Sequence, residues 1–324
     1  MIIYRSIEES RYLGNAFITV GTFDGLHLGH QALIRSLVNR AREKEAPSVV
    51  VTFDPHPQIV LKPDGPAVTL LTTSDEKLAL LDAAGVDYVL LLPFTRNLAQ
   101  LSPEQFVMEI LFQRIGFQGI ILGFNHAFGK NAGGSEQLLQ KLGCIHGFCV
   151  EQVAPVDTQG SIVSSTSIRN LLLDGQLEDA NRMLNRCYHI AGDVVPGQQI
   201  GNTIGFPTAN LAIDTENKLI PADGVYVALV DWQGKRYSGM VNIGFRPTVS
   251  GAQRSIEVHL FEFDQRIYGD RLDLHFVAYL RKEKKFNSLE ALKQQLIEDK
   301  INSQQCLEDR SKEAFDGFNQ RRKS

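Results

Sequence analysis

The sequence predicts an α/β domain followed by a β domain. The first is a doubly wound parallel sheet; the second is a small antiparallel barrel or sandwich closed by a terminal helix. Three observations predict this. As far as Leu184, apolar runs of strand length alternate with stretches of helical period. From Tyr188 the segments become short, β-type and broken by Gly, Pro, Asn and Asp. After Ser288 helical spacing returns. At 324 residues the chain is long enough for two domains of ordinary size, and the change of pattern puts the boundary near Asn185 to Tyr188, giving domains 1–185 and 186–324.

Phe17 to Val20 is a short apolar strand, and from Gln31 to Arg42 the residues Leu33, Ile34, Leu37, Val38 and Ala41 recur with helical spacing. Ser48-Val-Val-Val-Thr-Phe53 is of buried-strand type. Ser74 to Ala84 is expected as a helix and Asp87 to Leu92 as a strand. Ser102-Pro103-Glu104-Gln105 carries an N-cap, a proline at the first helical position and a capping-box glutamine, which predicts a helix to about Ile115. Gly119–Gly123 follows as a strand, Ser135–Leu142 as a short helix, Gly147–Val153 as a strand, and 164–173 and 177–184 as two closing helices. The second half offers strands at His189–Val195, Val225–Asp231, Gly239–Ile243, Ser255–Phe263 and Arg271–Tyr279. The helix from Ser288 places Leu289, Leu292, Leu296 and Ile297 on one face. The polar end of the chain is expected to fray.

Composition narrows the function. Hydrophobic residues make up 43% and charged residues 22%, with net charge −4. This is ordinary for a soluble globular protein and argues against a nucleic-acid partner held by a general basic field. The longest apolar run, Tyr88 to Phe94, is strand-sized, so no membrane span is expected. The N-terminal residues lack the apolar core of a secretory signal. The cysteines, Cys144, Cys149, Cys187 and Cys306, form no C-x-x-C pair, which fits free thiols in the cytoplasm rather than a zinc site.

The stretch Val20-Gly-Thr-Phe-Asp-Gly-Leu-His-Leu-Gly-His30 carries the most chemistry. It sets His27 and His30 where a strand gives way to a helix N-terminus. Gly21, Gly25 and Gly29 permit the tight turn and leave room for a ligand. Free N–H groups and the helix dipole favour an anion there, and imidazole donors can meet charge building on a phosphorus under attack. Ser164-Ser-Thr-Ser-Ile-Arg169 offers hydroxyls and a guanidinium at a helix start. In the second half, Gly197, Gly201 and Gly205 recur four residues apart before Pro207-Thr-Ala-Asn210. They are either turns between strands or a flap over phosphates. Thr208 and Asn210 offer hard oxygen ligands suited to Mg²⁺. In Ser255-Ile-Glu-Val-His-Leu-Phe261, Glu257 and His259 share one face of a strand.

The histidine block, with its Gly-Thr-Phe-Asp-Gly lead-in, resembles the nucleotidyltransferase signature of the bacterial bifunctional riboflavin kinase/FMN adenylyltransferases. Gly-Phe-Pro-Thr-Ala-Asn and Glu-x-His resemble that family's kinase motifs, and the likeness runs over about residues 14–300. The resemblance implies a nucleotidyltransferase (Rossmann-like) domain and a riboflavin kinase barrel. Their substrates would be riboflavin, FMN and ATP; their product would be FAD, made with Mg²⁺ as cofactor. It implies that His27 and His30 are catalytic for adenylyl transfer, and that Gly21, Phe23, Gly29, Ser164, Ser165, Thr166 and Arg169 bind ATP. Asn125, in Gly123-Phe-Asn-His-Ala-Phe-Gly-Lys130, and His56 would lie toward FMN. In the kinase it implies Glu257 as base, the three glycines on ATP, Thr208 and Asn210 on the metal, and Arg281 on flavin or nucleotide. The chain departs from the family at Ala132, at Asn202 and at Asn185-Arg-Cys-Tyr188. Two other readings stand at this point: a riboflavin kinase with a weakened adenylyltransferase, and a flavin-binding regulatory protein without catalysis.

Overall fold

A computed structural model describes the chain except residues 64–67, 125–133, 159, 198–199, 214–216, 249–250 and 322–324, and the side chains of 200, 202, 246–248, 251–253 and 311–321. It divides into two compact units, Met1–Ser165 and Thr166–Ser324.

The first unit runs β1 (Ile2–Tyr4), β2 (Ala16–Val20), α1 (Leu28–Glu43), β3 (Ser48–Asp54), α2 (Pro57–Leu61), α3 (Ser74–Ala83), β4 (Tyr88–Pro93), α4 (Arg96–Gln100) and α5 (Pro103–Gln105). A π-helix (Phe106–Phe112), β5 (Phe117–Leu122), α6 (Glu136–His146), β6 (Cys149–Gln152) and the small ribbon β7 (Asp157–Thr158) with β8 (Ser161–Ile162) complete it. Six strands form one sheet in the order β1-β4-β3-β2-β5-β6, and every pairing is parallel. Alternate strand residues feed opposite cores. Ile18, Val20, Val51, Leu92 and Ile120 pack with Phe106, Leu111 and Leu139. Phe17, Val50, Val89, Leu91 and Ile121 pack with Leu33, Ile34, Leu37, Leu78 and Leu81 of α1 and α3. Both faces are therefore covered, as a parallel sheet requires. The strand order reverses at β2, where β3 lies on one side and β5 on the other. Ligands bind at such a switch point, beyond the carboxyl ends of the strands.

The second unit opens with α7 (Ser165–Leu173), whose first residue closes the first unit. It continues through α8 (Leu177–Leu184), β9 (Tyr188–Val195), α9 (Ile200–Thr203), β10 (Ala209–Ala212), β11 (Gly224–Trp232), β12 (Lys235–Thr248), β13 (Gly251–Leu260), β14 (Arg271–Arg281) and α10 (Leu289–Arg321). Of the two architectures expected, the closed barrel forms, in the order β10-β13-β12-β11-β14-β9 with antiparallel pairings. α8 is stitched to it: Asn181 Nδ2 donates to Phe276 O at 2.9 Å, and Tyr279 N donates to Glu178 Oε1 at 3.2 Å.

Three expectations change. The helix foreseen to Ile115 is one α-turn running into the π-helix. Its i→i+5 bonds, such as Gln113 N–H to Met108 O at 3.0 Å, bring the buried Phe106, Val107 and Leu111 toward one stripe. On α10, Leu292 and Leu296 face the barrel, but Leu289 and Ile297 are 57% and 37% exposed. The inward face is completed instead by polar residues, the buried Asp299 and Ser303, which an apolar count misses. Finally β1 and β10 were not foreseen. One has three residues and the other is Ala-Asn-Leu-Ala, too short or too weakly β-prone to signal alone.

Candidate functional site

In the first unit the loop after β2 crosses the carboxyl end of the sheet and enters α1. His27 is the N-cap of α1. Its Nδ1 accepts the backbone N–H of His30 at 3.4 Å, which leaves the proton of the neutral ring on Nε2. The two imidazoles stack, with centroids 3.7 Å apart and planes 18° from parallel, and the Phe23 ring meets His30 edge-on at 5.2 Å. Burial first, then the electrostatic influence of His27 and of Lys77, hold the His30 imidazole well below its ordinary range. His30 is therefore neutral at pH 7. Among the described residues nothing meets the buried His30 Nδ1. Leaving such an atom unpaired costs about 1–3 kcal/mol, a cost that an incoming ligand can remove. Gly29 is close-packed: a Cβ there would sit 3.3 Å from the His27 ring.

A buried scaffold that sequence reasoning missed holds this loop. The Asp24 carboxylate, 3% exposed, accepts from Leu71 N at 2.9 Å, Thr72 N at 3.0 Å and the Thr72 hydroxyl at 3.2 Å. Gly25 N donates to the Thr72 hydroxyl at 3.0 Å. From the other side Ser165 Oγ donates to Asp24 O at 2.8 Å, which ties one of the foreseen phosphate-binding hydroxyls to the histidine loop. Ser164 lies just before α7, and Thr166 and Arg169 lie in its first turns, within the second unit from Thr166 on. His56 caps α2, with Nδ1 accepting from Gln58 N at 3.2 Å. Asn125, Lys130 and Ala132 lie outside the described residues.

In the second unit three strands converge. Asn210 on β10 stands opposite Glu257 on β13, which stands opposite Asn242 on β12. Cross-strand partners share a face, so one row carries all three. Asn242 is a site residue that sequence reasoning did not single out; only the register reveals it. Glu257 Oε2 accepts from Thr208 Oγ1 at 3.4 Å. Asn210 is buried, and its Oδ1 has no partner among the described residues. Gly197 packs on that amide so closely that a Cβ would fall 1.9 Å from Asn210 Nδ2. Gly205 has φ +84°, a left-handed value that favours glycine, and a Cβ on Gly201 would meet Phe206 O at 2.1 Å. Gly201 and Gly205 are thus demanded by the local backbone and Gly197 by the Asn210 side chain packed on it, whatever they do for a phosphate. His259 Nδ1 bonds Pro207 O at 2.7 Å, so that nitrogen carries the ring proton, and burial draws the ring's pKa below its ordinary value.

A cavity of ≈ 370 Å³ lies between this face and α10. Its walls are apolar, including Phe206, Val225, Met240, Leu292 and Leu296, and Glu257, Asn242 and Thr208 supply polar groups. Arg281 also lines it, but its guanidinium is engaged by the buried Asp299 at 2.6–3.1 Å. Arg281 thus fastens α10 to β14. A second cavity of ≈ 270 Å³ reaches Thr208 along Pro207, Ala209 and residues 263–268. Thr208 is common to both.

Fold and sites define an enzyme with two phosphorus-transfer centres. The FAD synthetase family model matches residues 9–167 and the riboflavin kinase model residues 184–307. The bifunctional riboflavin kinase/FMN adenylyltransferase of Pseudomonas fluorescens is 40% identical over 85% of this chain and 88% of its own length. Those of Escherichia coli K12 and Bacillus subtilis are each 35% identical, over 89% and 87% of this chain and 91% and 90% of theirs. A crystal structure described as a macrolide-efflux protein from Streptococcus pneumoniae superposes with TM-score 0.86 at 32% identity, covering 94% of this chain and 98% of that one. Among the described residues here, no helix is long and apolar enough to cross a membrane. The chain belongs to the bifunctional riboflavin kinase/FMN adenylyltransferase family.

Proposed function

We propose that the two reactions run in sequence at the two sites: riboflavin is phosphorylated to FMN on the barrel, and FMN is adenylylated to FAD, with release of pyrophosphate, at the histidine loop. ATP is the co-substrate of both steps. The observation that carries this reading is the presence of two separate constellations, the stacked His27 and His30 at a helix start and the Asn210–Glu257–Asn242 row beside Thr208. Residues 1–185 are assigned to adenylyl transfer and 186–324 to the kinase. Partners are small molecules alone, in the cytoplasm, with no nucleic-acid or membrane partner.

On the barrel, the flat apolar ring system of riboflavin suits the cavity under Leu292 and Leu296, with its chain reaching the polar end. Glu257 takes the proton of the 5′-hydroxyl as that oxygen bonds the terminal phosphorus of ATP and ADP leaves. The cavity that meets the first at Thr208 suits the nucleotide. Thr208 Oγ1 and the unpartnered Asn210 Oδ1 are hard oxygen donors that fit Mg²⁺. A magnesium ion held there supplies charge neutralisation to the phosphates. Replacing both residues with alanine is expected to raise the Mg²⁺ concentration needed for half-maximal FMN formation. An unchanged titration curve would remove them from the metal site.

At the histidine loop, an FMN phosphate oxygen bonds the α-phosphorus of ATP in line with the departing pyrophosphate. This chemistry needs positioning and donors more than covalent help. His27 Nε2–H and the neutral His30 ring face the charge that gathers on the α-phosphate oxygens. Incubation with riboflavin, ATP and Mg²⁺, followed by chromatography, tests the whole. FMN should appear first and FAD after a lag, whereas absence of both products would favour a flavin-binding protein without catalysis.

A further inference from the structure

Lys77 is a lysine only 6% exposed, on the face of α3 turned toward the sheet. Its ammonium donates to Thr22 O at 3.3 Å, to Thr52 Oγ1 at 3.1 Å and to Phe53 O at 3.2 Å. Thr22 lies in the histidine loop; Thr52 and Phe53 lie near the end of β3. The Thr52 hydroxyl in turn donates to Thr22 O at 3.2 Å. An ammonium has three donors, and all of them are engaged within the protein. Lys77 is therefore not a phosphate ligand.

We propose that Lys77 is a positioning residue for adenylyl transfer: its buried ammonium pins the Gly21–Gly25 turn to the end of β3 and so fixes where His27 and His30 stand. The inference rests on the assignment of those histidines to FAD formation. The second clasp described above supports it. Asp24 holds the backbone of Leu71 and Thr72 just ahead of α3, and Lys77, one turn into α3, holds the same loop two residues earlier in sequence. α3 is itself fixed at its start by the Thr73–Glu76 capping box. Loop, helix and strand end thus form one rigid node, the kind of support that a positioned catalytic group requires. Burial draws the Lys77 pKa down while the nearby Asp24 and Asp54 carboxylates oppose it, and its charge is among the influences that keep His30 neutral.

The test uses the full chain, in which the kinase reaction serves as an internal control. Lys77→Met keeps most of the stem and removes charge and donors. It is expected to lower kcat for FAD formation by about 10²-fold, the scale on which a misplacement of about 1 Å acts. KM for FMN and ATP should stay within about threefold and FMN formation within about twofold. In a His30→Ala background the same change should cost less than about threefold, because coupled residues are not additive. Thr52→Val, which removes one member of the node and leaves the ammonium two partners, should lower the same kcat with a smaller fall in melting temperature than Lys77→Met. It carries the test if Lys77→Met fails to fold. FAD formation within about twofold of the parent in a folded Lys77→Met or Thr52→Val chain would overturn the proposal, as would full additivity with His30→Ala. If instead the His27→Ala, His30→Ala chain still makes FAD, it is the histidine assignment that fails.

Discussion

Replacing His27 and His30 together with alanine is expected to abolish FAD formation from FMN and ATP while FMN formation from riboflavin continues at close to its original rate. Loss of one preorganised donor to a developing oxyanion costs roughly 2.7–4 kcal/mol of transition-state stabilisation, so two should take the rate below ordinary detection. Part of the effect has a structural source that must be measured separately. His27 caps α1 through its Nδ1, and losing a cap costs about 0.5–2 kcal/mol of stability. His30→Ala alone leaves that cap in place, so it should lose activity with less loss of melting temperature than His27→Ala. FAD synthesis at the parental rate in the double variant would remove both histidines from the reaction.

Glu257→Gln is expected to do the reverse. Glutamine keeps the size and can still accept from Thr208, but it cannot take up the hydroxyl proton. A positioned general base contributes typically ~10²–10⁴-fold, and the rate of FMN formation should fall by that much. KM for riboflavin should change little, because the apolar wall of the cavity is untouched. FAD formation from supplied FMN should persist. A kinase rate merely halved would make Glu257 a bystander on the outer face of β13.

Much of this was legible in the sequence, for identifiable reasons. Val49, Val50 and Val51 are buried on both faces of the sheet, so their strand reads as an unbroken apolar run. α1 shows its core stripe, Leu33, Ile34, Leu37, Val38 and Ala41, with every member buried. The histidines and the Pro207–Asn210 segment are local motifs, visible without any tertiary information. What stayed hidden depends on partners distant in sequence. Asn242 joins the site only through the β12–β13 register. Asp24 and Lys77 act on groups from Thr22 to Thr72, and no spacing rule links them. The Arg281–Asp299 pair likewise spans 18 residues between a strand and a helix. The family resemblance points Arg281 toward flavin or nucleotide, and it does line the cavity, but its tie to α10 is not readable from its own neighbourhood.

The central claim is that one chain carries two separate centres joined only by FMN. A mixing experiment tests it most directly. The His27→Ala, His30→Ala chain and the Glu257→Gln chain are each supplied with riboflavin, ATP and Mg²⁺, alone and together, and the flavins are separated by chromatography. The first alone should stop at FMN, the second alone should leave most riboflavin unchanged, and the two in one tube should make FAD. FAD from riboflavin at the parental rate in either tube alone, or none from the mixture while each variant retains its other reaction, would contradict the account.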